Sequence, residues 1–145
     1  MIVALDHVAV AVTDFERAIE RFSHDFGLPC TGKEDVTAAK TKTASFSLSG
    51  TEIELVHPLD GEGPIAKYLS SGKKGLHHLC FRTDDIDADQ KRLSGLGYRF
   101  LTEAARPGAN GSRVIFIDPK CCDGVLVELC QRADNATDGK GGVDE

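Results

Sequence analysis

Leu5-Asp6-His7-Val8-Ala9-Val10 and Leu76-His77-His78-Leu79-Cys80-Phe81 are two copies of one pattern, and reading them as a repeat decides the fold. Aligned, they set His78 against His7 at a spacing of 71 residues. The same spacing carries Thr13-Asp14-Phe15 onto Asp84-Asp85-Ile86. Farther along, Gly50-Thr51-Glu52-Ile53-Glu54-Leu55 matches Gly124-Val125-Leu126-Val127-Glu128-Leu129 at a spacing of 74, so the second copy has gained three residues. Each half of the chain is one copy of the same module.

Working outward, the first copy predicts a Val- and Ala-rich strand over about 4–12. Thr13 reads as an N-cap, with Glu16 three residues on completing a capping box. Phe15, Ala18, Ile19, Phe22 and Phe26 recur at helical spacing and predict one face packed on a sheet, with Gly27 ending the helix. Strands follow near 28–36, 42–48 and 51–57, Ser49-Gly50 turning the last pair and Pro58 stopping it. Pro64–Leu69 reads as a short linking helix with Pro in its first turn. The second copy repeats the order: a strand near 76–83, a helix near 86–96, and strands near 98–103, 112–118 and 124–131, with a loop over Pro107–Gly111. The expectation is one domain over 1–131, with modules at about 4–58 and 76–131. Residues 132–145 are polar and Gly-rich and are expected to be disordered. Asn135-Ala136-Thr137 matches a glycosylation sequon, which carries no weight without a secretory signal.

Hydrophobic residues make up 41% of the chain and charged residues 28%, ordinary for a globular domain. A net charge of −6 argues against nonspecific nucleic-acid binding, which needs clustered Lys and Arg. No apolar run approaches the ~20 residues of a membrane helix, and residues 1–6 show no signal peptide. Cys30, Cys80, Cys121, Cys122 and Cys130 are odd in number and form no C-x-x-C pair, which points to reduced thiols in a reducing compartment. The expected location is the cytoplasm, or the mitochondrial matrix if a targeting segment has been removed.

Four residues carry the chemistry, because the repeat pairs them: His7 with His78, and Glu54 with Glu128. Alternate residues of a strand share a face, so Glu54 opposes Ile53 and Leu55, and Glu128 opposes Val127 and Leu129. A carboxylate in such a setting is costly unless paired or bound to a cation. Two His and two Glu related by a pseudo-two-fold axis make a divalent metal site suited to Co, Mn, Ni, Zn or Fe rather than Ca. Taken singly, each residue is more often structural or solvent-facing; its recurrence in both halves is what makes it a ligand candidate. His77 aligns with Asp6 and is expected to point to the other face. His24 and His57 read as surface groups or as supports for the site.

These residues, together with Gly75-Leu76-His77-His78-Leu79, Arg106-Pro107-Gly108-Ala109, Asp118-Pro119-Lys120, Glu54–Leu59, and Pro64-Ile65-Ala66-Lys67, resemble the methylmalonyl-CoA epimerases of the vicinal oxygen chelate superfamily. The resemblance spans roughly residues 4–131. It implies an α+β fold of paired βαβββ modules in a cupped mixed sheet around one divalent ion, held by His7, Glu54, His78 and Glu128. It implies a CoA thioester as partner, a homodimer, and no nucleic acid or membrane. Some relatives carry Gln where Glu54 stands, and some carry a Glu, proposed as a second base, on the strand matching Lys40-Thr41-Lys42-Thr43. Here no Glu stands on that strand.

Epimerisation removes a proton from one face of C2 and returns one to the other. By the resemblance, Glu128 is the expected base and Glu54 a ligand or second acid/base, the two exchanging roles between epimers. The alternatives are a glyoxalase-like lyase, which uses related chemistry and the same ligands, and a non-catalytic binding module of the same fold. Retention of all four ligand positions argues against the binding module. A dioxygenase reading loses ground for the same reason, since iron members typically hold the metal with two His and one carboxylate.

Overall fold

The computed structural model describes residues 1–133, so the expectation for the tail from 134 onward, with its sequon, lies outside the described residues. Strand β1 (Ile2–Ala11) leads into α1 (Phe15–Glu20), which continues as a π-helical turn over Arg21–Asp25. Strands β2 (Cys30–Val36), β3 (Thr41–Leu48) and β4 (Thr51–Pro58) complete the first module. Helix α2 (Pro64–Ser70) links to β5 (Gly75–Thr83), α3 (Ile86–Gly95), β6 (Arg106–Pro107), β7 (Arg113–Ile117) and β8 (Val127–Gln131). None of the described helices is long and apolar enough to cross a membrane.

All eight strands form one mixed sheet in the order β2-β3-β4-β1-β5-β8-β7-β6, curled into a half-barrel. The α+β fold of paired βαβββ modules is the one found. The order reads the same from either end: the first strand of each module lies at the centre, antiparallel to its counterpart and parallel to the last strand of its own module.

Strand alternation sorts the two faces. Val10, Ile53 and Leu55 pack with Phe46, Ala18, Phe15, Ile19 and Phe22 under α1. Leu129 and Ile115 pack with Ile86 and Leu93 under α3. The other face carries Ala9, Ala11 and Val56, covered at one end by Ile65 of α2. Burying a side chain such as Phe46 or Leu129 stabilises the fold by roughly 1.5–3 kcal/mol over leaving it exposed. Ser49 and Gly50, both at positive φ, make the tight turn between β3 and β4.

Four local expectations are corrected. The N-cap of α1 is Asp14 rather than Thr13; its carboxylate accepts from the Arg17 amide at 3.0 Å. Phe26 is 60% exposed and touches the core face only through the edge of Phe22, because the π-helical turn rotates it off the helical stripe. Residues 98–103 do not form a continuous strand. Leu101 N donates to Phe116 O and Phe100 bridges Ile117, but Thr102–Ala105 loops out before Arg106–Pro107 rejoins the same edge of β7. The loop is tied to α3 by Gln90, whose amide donates to Glu103 O, and Pro107 is tolerated because this strand is an edge. Finally, β8 begins at Val127 rather than 124, after a turn in which Asp123 and Gly124 take positive φ.

Candidate metal centre

The four central strands each deliver one of the expected ligands. In sheet order they are Glu54 on β4, His7 on β1, His78 on β5 and Glu128 on β8, and all four are buried. The register places them: His7 lies opposite Cys80 while Ala9 lies opposite His78, and Ala9 pairs with Glu54 as Cys80 pairs with Glu128. Their tips converge. His7 Nε2 is 3.4 Å from His78 Nε2, 3.5 Å from Glu54 Oε1 and 3.2 Å from Glu128 Oε1, and His78 Nε2 is 3.0 Å from Glu128 Oε1. The donor atoms of His7, Glu54 and His78 all lie within 4.8 Å of one another.

These residues floor a cavity of about 760 Å³. Its walls come from both modules: Thr41, Thr43 and Val56 on one side, Phe116, Leu126 and the Arg106–Asn110 loop on the other. Asn110 N donates to Glu34 Oε1 at 2.7 Å, fastening the second module's loop to the first module's edge. Gly108 permits the loop's close approach, since a Cβ there would meet Val114 Cγ1 at 2.7 Å. The strand lacking a Glu presents Thr41 and Thr43 to the cavity, and both hydroxyls donate to backbone carbonyls, of Ala39 and Glu34.

The electrostatics are those of a site short of positive charge. Burial is the largest influence on His7 and opposes its protonation, yet the surrounding Asp6, Glu128 and Glu54 carboxylates push its pKa up to about 11. Burial would raise Glu128, but the imidazoles of His78 and His7 pull it down to about 2. Glu54 is raised, by burial first and by Glu128 in addition, against the pull of His7. Among the described residues, Glu128 Oε1 is the one buried side-chain polar atom with no hydrogen-bond partner, although two imidazole nitrogens face it within 3.2 Å. A buried orphan acceptor is costly. A divalent cation among two imidazole nitrogens and two carboxylates would satisfy it, and the donor set fits Co, Mn, Ni, Zn or Fe.

His77 does not point away from the site, as alternation predicts. It lines the cavity beside His78, with its Nδ1 2.7 Å from His78 Nδ1. Burial first, and then the neighbouring His78, lower its pKa to about 4. Asp6, its counterpart in the first module, is buried where His77 is half-buried: Asp6 Oδ2 is 2.8 Å from His7 Nδ1, and Asp6 Oδ1 accepts from Arg82 and Arg132. Composition carries no signal for either role. His57 donates to Val12 O and stacks on Phe15, outside the cluster, and His24 is exposed.

The profile of the Glyoxalase/Bleomycin resistance protein/Dioxygenase superfamily matches residues 6–116. The chain is 38% identical over 128 residues to the mitochondrial methylmalonyl-CoA epimerase of Homo sapiens, covering 88% of this chain and 73% of that protein. The crystal structure of methylmalonyl-CoA epimerase from Mycobacterium tuberculosis superposes with a TM-score of 0.86 at 36% identity, covering 91% of this chain and 89% of the other. A Streptomyces coelicolor methylmalonyl-CoA epimerase in complex with 2-nitronate-propionyl-CoA gives a TM-score of 0.87 at 29% identity, over 92% and 99% of the two chains.

Proposed function

The chain belongs to the Glyoxalase/Bleomycin resistance protein/Dioxygenase superfamily, and from that membership we propose that it is a metal-dependent methylmalonyl-CoA epimerase. One observation carries the reading: His7, Glu54, His78 and Glu128 converge at the floor of a cavity closed by both modules. The likeness to epimerases, one of them holding a CoA thioester analogue, supplies the substrate class.

In this reading His7, Glu54, His78 and Glu128 hold one divalent ion, which when bound would act as a Lewis acid for the negative charge that develops as the C2 proton leaves. The rest falls to the chain itself. Glu128, buried and held in its charged form by His78 and His7, is the proposed acceptor of the C2 proton. Glu54, whose proton affinity burial raises, or a water beside it returns a proton on the other face. The two stand on strands flanking the β1/β5 pair, so they approach the floor from opposite modules. Thr41 and Thr43 do not titrate near neutral pH, so the β3 wall supplies no competing base. Phe116, with its ring centroid 5.1 Å from that of His78, sets an apolar wall beside the cluster.

The test is deuterium incorporation at C2 of methylmalonyl-CoA in D2O, with and without chelator. Exchange that requires both protein and metal supports the proposal. No exchange by verified metal-loaded protein would overturn it.

A further inference from the structure

We propose that Asp6 and His77 are a matched pair of positioning residues, each set by a β-bulge against Nδ1 of the metal-binding histidine that follows it, so that both imidazoles present Nε2 to the ion. The proposal rests on the reading of His7 and His78 as metal ligands.

Neighbouring residues of a regular strand point to opposite faces. Asp6 and His7 break that rule, as do His77 and His78: both members of each pair line the cavity. The β1/β5 register shows how. Partners run from Leu5↔Phe81 to His7↔Cys80, skipping Asp6, and from Ala9↔His78 to Val10↔Leu76, skipping His77. An extra residue in one strand re-aims its side chain. The two bulges fall at equivalent places in the two modules, 71 residues apart.

The consequence is a defined tautomer. Asp6 Oδ2 can only accept, so His7 keeps a proton on Nδ1, 2.8 Å away, and Nε2, which faces the cluster, is the nitrogen it would offer an ion. His78 Nε2 faces the same space, 3.0 Å from Glu128 Oε1. With Nε2 given to an ion, its proton would sit on Nδ1 and be donated to His77 Nδ1 at 2.7 Å, leaving His77 protonated on Nε2.

Each support is itself braced. Asp6 is held by Arg82 at 2.9 Å and Arg132 at 2.7 Å. His77 meets Tyr68 of α2 edge-on, with ring centroids 4.6 Å apart, and the Tyr68 hydroxyl donates to Leu76 O. Through Tyr68 and His77, the linking helix holds a metal ligand in place. The pair is equivalent in position and unequal in chemistry: a carboxylate backs His7, and an imidazole backs His78.

Co(II) affinity, measured by competition with a chromophoric chelator on the full chain, tests this together with the Co(II) absorption spectrum. H77F keeps a ring beside Tyr68 but removes the acceptor, and H77Q returns an acceptor oxygen. H77F and D6N should each weaken Co(II) binding by about 10–100-fold and alter the spectrum; H77Q should recover most of the H77F loss. Wild-type affinity in either H77F or D6N, or an H77Q as weak as H77F, overturns the proposal. So does a lowered metal-free melting temperature with unchanged Co(II) affinity, the pattern of a purely structural residue. If the wild-type chain itself binds no Co(II), the metal reading fails and the proposal falls with it; wild-type binding with unaffected variants sinks this inference alone.

Discussion

Glu54 and Glu128 occupy equivalent register positions, and their surroundings shift their proton affinities in opposite directions. Glu54 lies opposite Ala9 across β4/β1, and Glu128 lies opposite Cys80 across β8/β5. Burial raises Glu54, while His78 and His7 draw Glu128 down to about 2. A near-symmetric scaffold thus holds two carboxylates in unequal electrostatic settings, a difference that suits the proposed reaction, in which a proton is taken on one face and given on the other.

Removing the metal should lower both stability and turnover. The two buried carboxylates lose their counter-ion and Glu128 Oε1 is left without a partner. At a free ion concentration of 100 Kd, the stabilisation lost is about 2.7 kcal/mol. Melting temperature and exchange rate after chelation, and again after Co or Mn is added back, check this. Unchanged turnover in verified metal-free protein contradicts the mechanism.

The core beneath α1 should be sensitive to truncation. Phe46 is fully buried among Ala18, Leu55 and Phe22, on the face opposite the cavity. Phe46→Ala should cost about 3–5 kcal/mol in chemical denaturation. The folded fraction should keep its Co(II) affinity, because no site residue shares that face. A loss under 1 kcal/mol would show that the cluster relaxes to fill the gap.

Asp89 should make the fold acid-sensitive. Burial, the largest influence, works against its ionisation, but the Thr83 hydroxyl, the Met1 ammonium and Arg92 outweigh it and hold the carboxyl below its ordinary value of 3.8. A depressed folded-state pKa gives stability that is present above the unfolded value and lost as pH falls below it. Asp89→Asn should therefore melt lower than wild type at pH 7, with the gap closing toward pH 3. A gap independent of pH would mean that the hydrogen bond, not the charge, matters.

The convergence of His7, Glu54, His78 and Glu128 was legible because a repeat exposes what a single strand hides. One buried Glu in a strand is ambiguous, but Glu54 and Glu128 at matched places in two copies are not. Strand alternation then put Leu55 and Leu129 on the helix-covered face and the carboxylates on the other. The bulges at Asp6 and His77 were not legible, since one extra residue leaves no mark on composition or period, and alternation assigned His77 to the wrong side. The break in the strand expected over 98–103 was hidden for a similar reason. Phe100 and Leu101 pair locally with β7, but the excursion at Thr102–Ala105 depends on Gln90 of α3, which is distant in sequence. Thr13 and Asp14 are both good caps, and only the backbone, at φ −117° and ψ 97°, selects Asp14.

The sharpest test separates the two acids. Glu54→Gln keeps an oxygen ligand at a position where the resembled family carries Gln in some members, so it should keep metal and much of its turnover. Glu128→Gln keeps the shape and a potential oxygen ligand but removes the proposed base. It should retain part of its metal and lose C2 proton exchange by a factor on the order of 10²–10⁴. Glu128 also sits between both imidazoles, at 3.0 and 3.2 Å, so metal content must be measured with the rate. With only Thr41 and Thr43 on the β3 wall, no other carboxylate there takes over. Following exchange from each epimer separately then assigns the faces: loss of one direction only would mean that Glu54 or a water still serves the other. Normal turnover by metal-loaded Glu128→Gln would refute the base assignment, and an inactive Glu54→Gln would reverse the division of labour between the modules.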